Sequence, residues 1–252
     1  MTGAPELTGP AAQDLNSFPP GGLAVVAGST GAIGAGIARQ IEASGRFARV
    51  IGLSRSGSGG VPFDLTDEAS IAAAALAVGE ASKTAPLRLV FDATGMLHEG
   101  NIQPEKSWRQ MDPAAIARVF AINTIGPALL MKHFLPLLAG EGKAVFATLS
   151  ARVGSIGDNN LGGWYSYRAA KAALNQLVRS ASIELARKRP ESLCIALHPG
   201  TVESRLSEPF ARSGLTVRPP REAARLLLQT IDNLSAAQTG SFHDAEGKEI
   251  VW

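Results

Sequence analysis

Apolar positions follow two alternating patterns along this chain. Residues 23–27, 49–53, 87–93, 144–149 and 193–197 form short runs that are apolar on both parities, as strands buried on both faces should be. Between them, residues 33–43, 67–78, 113–134, 164–188 and 222–234 carry helical spacing. Local chemistry marks the ends. Thr66 is the expected N-cap of the second helix, and Asp112-Pro113 sets a capping residue before a first-turn proline. Pro136 and Pro190 limit the third and fourth helices. Residues 54–60 read as a surface loop, and residues 249–252 as a closing strand.

This alternation predicts an α/β fold, a Rossmann-type doubly wound parallel β-sheet flanked by helices on both faces. At 252 residues the chain fits a single domain over 22–252, preceded by a flexible, proline-rich leader over 1–21. Apolar residues at 45% and charged residues at 18% allow a sizeable core. The net charge of +2 is spread along the chain with no basic run, which argues against a nucleic-acid partner. The leader has no signal-peptide pattern, and no segment approaches the ~20 apolar residues of a membrane span. No membrane partner is expected, and a cytoplasmic location is. The lone Cys194 lies in an apolar run and reads as a packed thiol. His98, His133 and His243 lack metal-ligand spacing, so no metal is expected, and His198, at a strand end, reads as a turn-stabilising residue.

Candidate chemistry begins after the first strand, in Gly28-Ser29-Thr30-Gly31-Ala32-Ile33-Gly34-Ala35-Gly36. Glycines here let the backbone approach a ligand, and the helix that follows presents free N–H groups to a pyrophosphate. A tight strand-to-helix connection could use the same residues, but the position after the first buried strand favours a dinucleotide. The second strand ends in Ser54-Arg55, without the carboxylate that binds the ribose hydroxyl of NAD. Arg55, helped by Ser54, could pair with a 2′-phosphate, so NADP(H) is preferred to NAD(H). Asp64 either accepts from an adenine amino group or caps the next helix.

Tyr167 and Lys171 stand four apart in a helical segment, on one face. A free phenol titrates near about 10, and a neighbouring ammonium would lower that value and suit the phenol to acid–base work.

Taken in order, the glycine turn, Asp92-Ala93-Thr94-Gly95, Asn123, Ser150, Tyr167 with Lys171, and His198-Pro199-Gly200-Thr201 resemble the motif series of the short-chain dehydrogenase/reductase family. The resemblance covers about residues 22–252 and is nearest to the C-factor-like and sniffer-like carbonyl reductases, on Gly154-Ser155-Ile156-Gly157 and Gly162-Gly163-Trp164-Tyr165-Ser166-Tyr167. It implies a cofactor site of Gly28, Ser29, Thr30, Gly31, Ile33, Gly34, Ser54, Arg55, Asp64, Leu65, Ala93, Thr94 and Gly95. Tyr167 and Lys171 complete that site, with Pro199, Gly200 and Thr201 beside the carboxamide. It makes Tyr167 the acid that protonates a carbonyl oxygen as hydride arrives, Lys171 the holder of the ribose, and Asn123 the anchor of a proton-relay water.

Departures are visible. Ala32 and Asp92 stand where the family usually has glycine and asparagine. Aligned on Gly154, Ala151 occupies the place of the family serine, so Ser150, Ser155 or neither fills that role; Ser150 is taken as the candidate. The implied activity is NADP(H)-dependent interconversion of an aldehyde or ketone and an alcohol, by a homodimer or homotetramer. The alternative is a dinucleotide-binding regulator of C-factor type with little turnover. An apolar lid is expected at Leu206, Pro209, Phe210 and Leu215.

Overall fold

The computed structural model describes residues 14–58, 60–204 and 217–252. Its strands are β1 (Gly22–Ala27), β2 (Phe47–Ser54), β3 (Gly60–Pro62), β4 (Leu87–Asp92), β5 (Ala144–Leu149) and β6 (Ser192–His198), then the short pair β7 (Thr201–Val202) and β8 (Val217–Arg218), and finally β9 (Phe242–Asp244). Seven of them form one parallel sheet in the order β3-β2-β1-β4-β5-β6-β9. The helices are α1 (Ala32–Ser44), α2 (Glu68–Ser82), α3 (Pro113–Phe120), α4 (Gly126–Phe134), α5 (Tyr165–Lys188) and α6 (Pro220–Asn233).

Along β1, Leu23, Val25 and Ala27 pack with Ile71 of α2, Leu130 and Phe134 of α4, and Leu174 and Val178 of α5. Ala24 and Val26 pack into the opposite layer, with Ile37 and Ile41 of α1 and Leu227 and Ile231 of α6. Two covered faces explain why the strand runs are apolar on both parities.

Several ends differ from the sequence expectation. The leader is docked from Leu15 on: Leu15 and Phe18 are fully buried, and the Phe18 ring lies 5.3 Å from that of Phe47. Arg46 donates to the carbonyls of Phe18 (2.6 Å) and Asn16 (3.1 Å). Asp67, not Thr66, caps α2, accepting from the Ala69 N–H at 3.0 Å. Asp112 caps α3 as expected, through the Ala115 N–H at 2.8 Å. The closing strand is β9, because Phe242 is buried in the sheet while Trp252 stacks over its ring at 5.7 Å instead of extending a strand. The loop after β2 ends at Gly60, which pairs with Gly52.

A π-helical turn, Ala121–Ile125, joins α3 to α4. The helical run Pro113–Leu137 spans 25 residues and holds an 18-residue window of mean hydropathy 1.6, long and apolar enough to cross a membrane by composition, contrary to the sequence reading. Here it is a core element, with Val119, Leu130, Met131 and Phe134 buried.

Candidate active site

The strand order reverses beside β1, whose neighbours are β2 on one side and β4 on the other. A crevice at the C-terminal ends of such strands is the usual dinucleotide position. Gly28 sits there at φ +76°, where a Cβ would lie 3.2 Å from the Ala93 carbonyl, and a Cβ on Gly34 would collide with the Gly28 carbonyl oxygen. The turn therefore presses directly on the end of β4. Gly31 precedes α1 with no side-chain cap, which leaves the first-turn N–H groups of α1 without a side-chain acceptor. A bare helix start behind a glycine cradle fits a pyrophosphate. Ser29 is held by bonds from its N–H and hydroxyl to the Leu53 carbonyl, at 3.2 and 3.4 Å. Thr30 is exposed and Ile33 half-buried.

Ser54 is buried at the end of β2, and Arg55 beyond it is exposed. Asp64 accepts from the N–H and hydroxyl of Thr66, both at 2.8 Å, and these bonds hold its carboxyl below the usual range. It closes a turn and does not cap α2. Leu65 is buried against Gly126.

Tyr167 and Lys171 lie one turn apart on α5, and the Lys171 ammonium is 5.9 Å from the Tyr167 ring centroid. Lys171 is buried and donates to the Leu149 carbonyl at 2.8 Å. Burial lowers its pKa to about 8, opposed by the negative charge of Asp92. Burial also pushes the Tyr167 phenol above its usual range, the reverse of the sequence expectation. Desolvation of the phenolate is the cause, and a phenol kept protonated is a proton donor.

Asn123 lies in the π-helical turn and is fully buried. Its amide donates to the carbonyls of Met96 (2.7 Å) and Val119 (3.0 Å), and its oxygen accepts from the Met96 N–H at 3.1 Å. The side chain is thereby spent bracing the segment after β4, so a relay water would have to use its main chain. A Cβ at Gly95 would lie 3.4 Å from the Asn123 oxygen and 3.8 Å from the Lys171 nitrogen, which brings these three residues to one point.

Ser150 has a hydrogen-bond partner of its own. It is buried, and its hydroxyl donates to Asn175 at 2.6 Å. Its position beyond β5 directs it into the sheet–α5 interface, as strand alternation requires. Ser155 is also buried and accepts from the Asp158 N–H at 3.1 Å. Ala151 lies between the strand and the 3₁₀ turn Arg152–Gly154 and carries no hydroxyl.

Two further residues, Trp164 and Glu105, support the tyrosine. Trp164 adopts φ +52° just before α5, its N–H donating to the Glu105 carbonyl at 2.5 Å. Its ring meets that of Tyr167 edge-on, 6.2 Å between centroids. The buried carboxylate of Glu105 accepts from the N–H of Ser166 at 3.1 Å and from its hydroxyl, and so caps α5 from a distant loop. Arg168 donates to the carbonyls of Gly162, Gly163 and Val153 at 2.9–3.2 Å, tying down the preceding loop. Trp164 belongs to the motif before α5, whereas Glu105 has no spacing pattern that would have marked it.

Pro199, Gly200 and Thr201 follow β6, and a cavity of about 210 Å³ beside them is lined by Arg152, His198, Gly200, Arg218, Asp244 and Glu246 among others. Burial lowers His198 to about 4, so it stays neutral, and its Nδ1 has no hydrogen-bond partner among the described residues. Burial pushes the Cys194 thiol up to about 12, which makes it inert. The expected lid residues Leu206, Pro209, Phe210 and Leu215 lie outside the described residues.

Comparison with known proteins agrees with this geometry. Residues 27–217 match the family model described as enoyl-(acyl carrier protein) reductase. The chain is 38% identical over 143 residues to C-signal of Myxococcus xanthus, covering 56% of this chain and 81% of that protein. It is 33% identical over 189 residues to 1-hydroxy-2-glutathionyl-2-methyl-3-butene dehydrogenase of a Rhodococcus species, covering 75% and 78%. The fold matches NADPH-bound carbonyl reductase from chicken fatty liver with a TM-score of 0.81 at 27% identity, over 97% of this chain and 100% of that one. The Drosophila melanogaster carbonyl reductase Sniffer shares the fold with a TM-score of 0.79 at 22% identity, over 92% and 100%. A glycine cradle at the strand-order reversal, a Tyr167–Lys171 pair on α5 and these likenesses make the chain a member of the short-chain dehydrogenase/reductase family, an NAD(P)-dependent oxidoreductase.

Proposed function

We propose that the protein interconverts a small aldehyde or ketone and its alcohol with NADP(H), using Tyr167 as the acid and base. The observation that carries this reading is the convergence of Lys171, Asn123 and Gly95 on one buried point, with Tyr167 one helical turn away. A bound nicotinamide supplies or accepts the hydride. Tyr167 donates its phenolic proton to the carbonyl oxygen, and in the reverse direction takes it back. Lys171 holds the ribose and stabilises the phenolate through its charge. Asn123 fixes the floor of the site. With Ala151 lacking a hydroxyl, carbonyl orientation falls to Tyr167 and to the Trp164 ring beside it. The exposed Arg55 meets the 2′-phosphate. NADPH in the chicken liver structure supports the same choice of cofactor.

A groove of about 500 Å³ between α4 and α5, lined by Met131, Leu135, Leu177 and Ala181 among others, supports a homodimer or homotetramer through these helices. Light scattering at the mass of one chain would refute that part. A cytoplasmic location belongs to the same reading.

A second reading is favoured by the Ser150–Asn175 bond and by Ala151: a dinucleotide-binding regulator with little turnover. Consumption of NADPH and NADH across a panel of aldehydes, ketones and quinones separates the two. Turnover faster with NADPH than with NADH supports the enzyme. Tight NADPH binding with no oxidation by any of the panel supports the regulator.

A further inference from the structure

Asp92 is fully buried at the C-terminal end of β4, where the related pattern carries asparagine. Three donors meet its carboxylate. Oδ1 accepts from the Thr94 N–H (3.0 Å) and hydroxyl (2.5 Å), and Oδ2 accepts from the Thr148 hydroxyl (2.7 Å). Thr148 is the cross-strand partner of Asp92 on β5, and the next residue, Leu149, gives its carbonyl to the Lys171 ammonium at 2.8 Å. From the other side, a Cβ at Gly95, three residues beyond Asp92, would lie 3.8 Å from the same nitrogen. Carboxylate and ammonium thus occupy the ends of adjacent strands inside one buried region.

Among the described residues, the titratable groups facing Lys171 are Asp92 from β4 and Tyr167 from α5; Asn123 from the π-helical turn and the Leu149 carbonyl from β5 are neutral. A buried ammonium with no counter-charge gives up its proton. Burial raises the Asp92 carboxyl above its usual range, and its three donors together with the Lys171 charge oppose that rise and favour the anion.

We propose that Asp92 is a positioning residue: its carboxylate is the buried counter-charge that keeps Lys171 an ammonium, and through Lys171 it sets the pH at which Tyr167 gives and takes its proton. The link to Tyr167 rests on the proposed function, whereas the link to Lys171 does not.

The first test therefore needs no turnover. In the full chain carrying ¹³Cε-labelled lysine, the Lys171 resonance is assigned by its loss in Lys171→Arg and followed against pH by NMR. Its midpoint is expected near the value of about 8 given by burial, and at least about one pH unit lower in Asp92→Asn. An unchanged midpoint overturns the proposal. If Asp92→Asn does not fold, Thr148→Val removes one donor and should move the midpoint the same way by a few tenths; no movement there overturns it equally.

The second test reads kcat/KM for alcohol oxidation against pH. The rising limb should move up by about one unit in Asp92→Asn, about a tenfold loss near neutrality, since a neutral Lys171 stabilises the phenolate less. A coincident profile overturns the link to Tyr167. A wild-type chain with no turnover defeats the proposed function and leaves the NMR result to decide the charge pair.

Discussion

The two sides of the crevice are built from different material. On the phosphate side, backbone does the work: the Gly28 carbonyl, the bare start of α1 and the carbonyl of Ala93 fit together because no side chain intervenes. On the side proposed for proton transfer, buried side chains do it: Asp92, Asn123, Glu105, Lys171 and Asn175 bond to neighbouring hydroxyls and to the main chain. The first construction is intolerant of a single methyl group but depends on close backbone approach and not on side-chain partners. The second tolerates change at a residue whose partner can adjust, and depends on contacts between remote parts of the chain.

The largest expected effect breaks the backbone side. Gly34→Ala drives a methyl group into the Gly28 carbonyl. NADPH affinity by calorimetry should fall about a hundredfold, the equivalent of about 2–3 kcal/mol of overpacking. Retained affinity would show that this turn is not the cradle. Next, Arg55→Glu should weaken NADPH about tenfold or more and leave NADH nearly unchanged, because one charge-assisted contact is replaced by repulsion. Equal losses would remove the case for NADP(H).

Smaller effects sharpen the side-chain half. Glu105→Ala should lower kcat up to about tenfold, in line with about 1 kcal/mol for a lost helix cap, with NADPH affinity retained. Glu105→Gln keeps an acceptor and should recover most of the rate. Full activity in the alanine variant would mean that Tyr167 needs no such support. The smallest change expected is a gain: Ala151→Ser restores a hydroxyl beside the carbonyl and should raise kcat about threefold, the worth of one added hydrogen bond. No gain would show that the carbonyl is oriented elsewhere.

The same contrast decides what could be read before the structure. Strand runs with both faces apolar, the Asp112-Pro113 helix start and the glycine turn are local, so their physics lies within a few neighbouring residues. The tyrosine and lysine were legible because helical pitch relates positions four apart. The supports were not, since Glu105 and Ser166 are 61 positions apart, Asp92 and Thr148 are 56, and Ser150 and Asn175 are 25. Ser150 shows the same limit: its type and position suit catalysis, but the side chain that accepts its hydroxyl hydrogen bond comes from α5. The docked leader is a similar case, because Leu15 and Phe18 find their apolar partners only once the Phe47 and α6 layer is in place.

The central claim is that one phenol transfers the proton while the cofactor is bound independently of it. Tyr167→Phe tests this directly, by single-turnover NADPH oxidation beside calorimetric NADPH affinity. The account predicts a rate about a thousandfold lower, with affinity within about twofold of wild type. A phenylalanine variant that oxidises NADPH at the wild-type rate would contradict it.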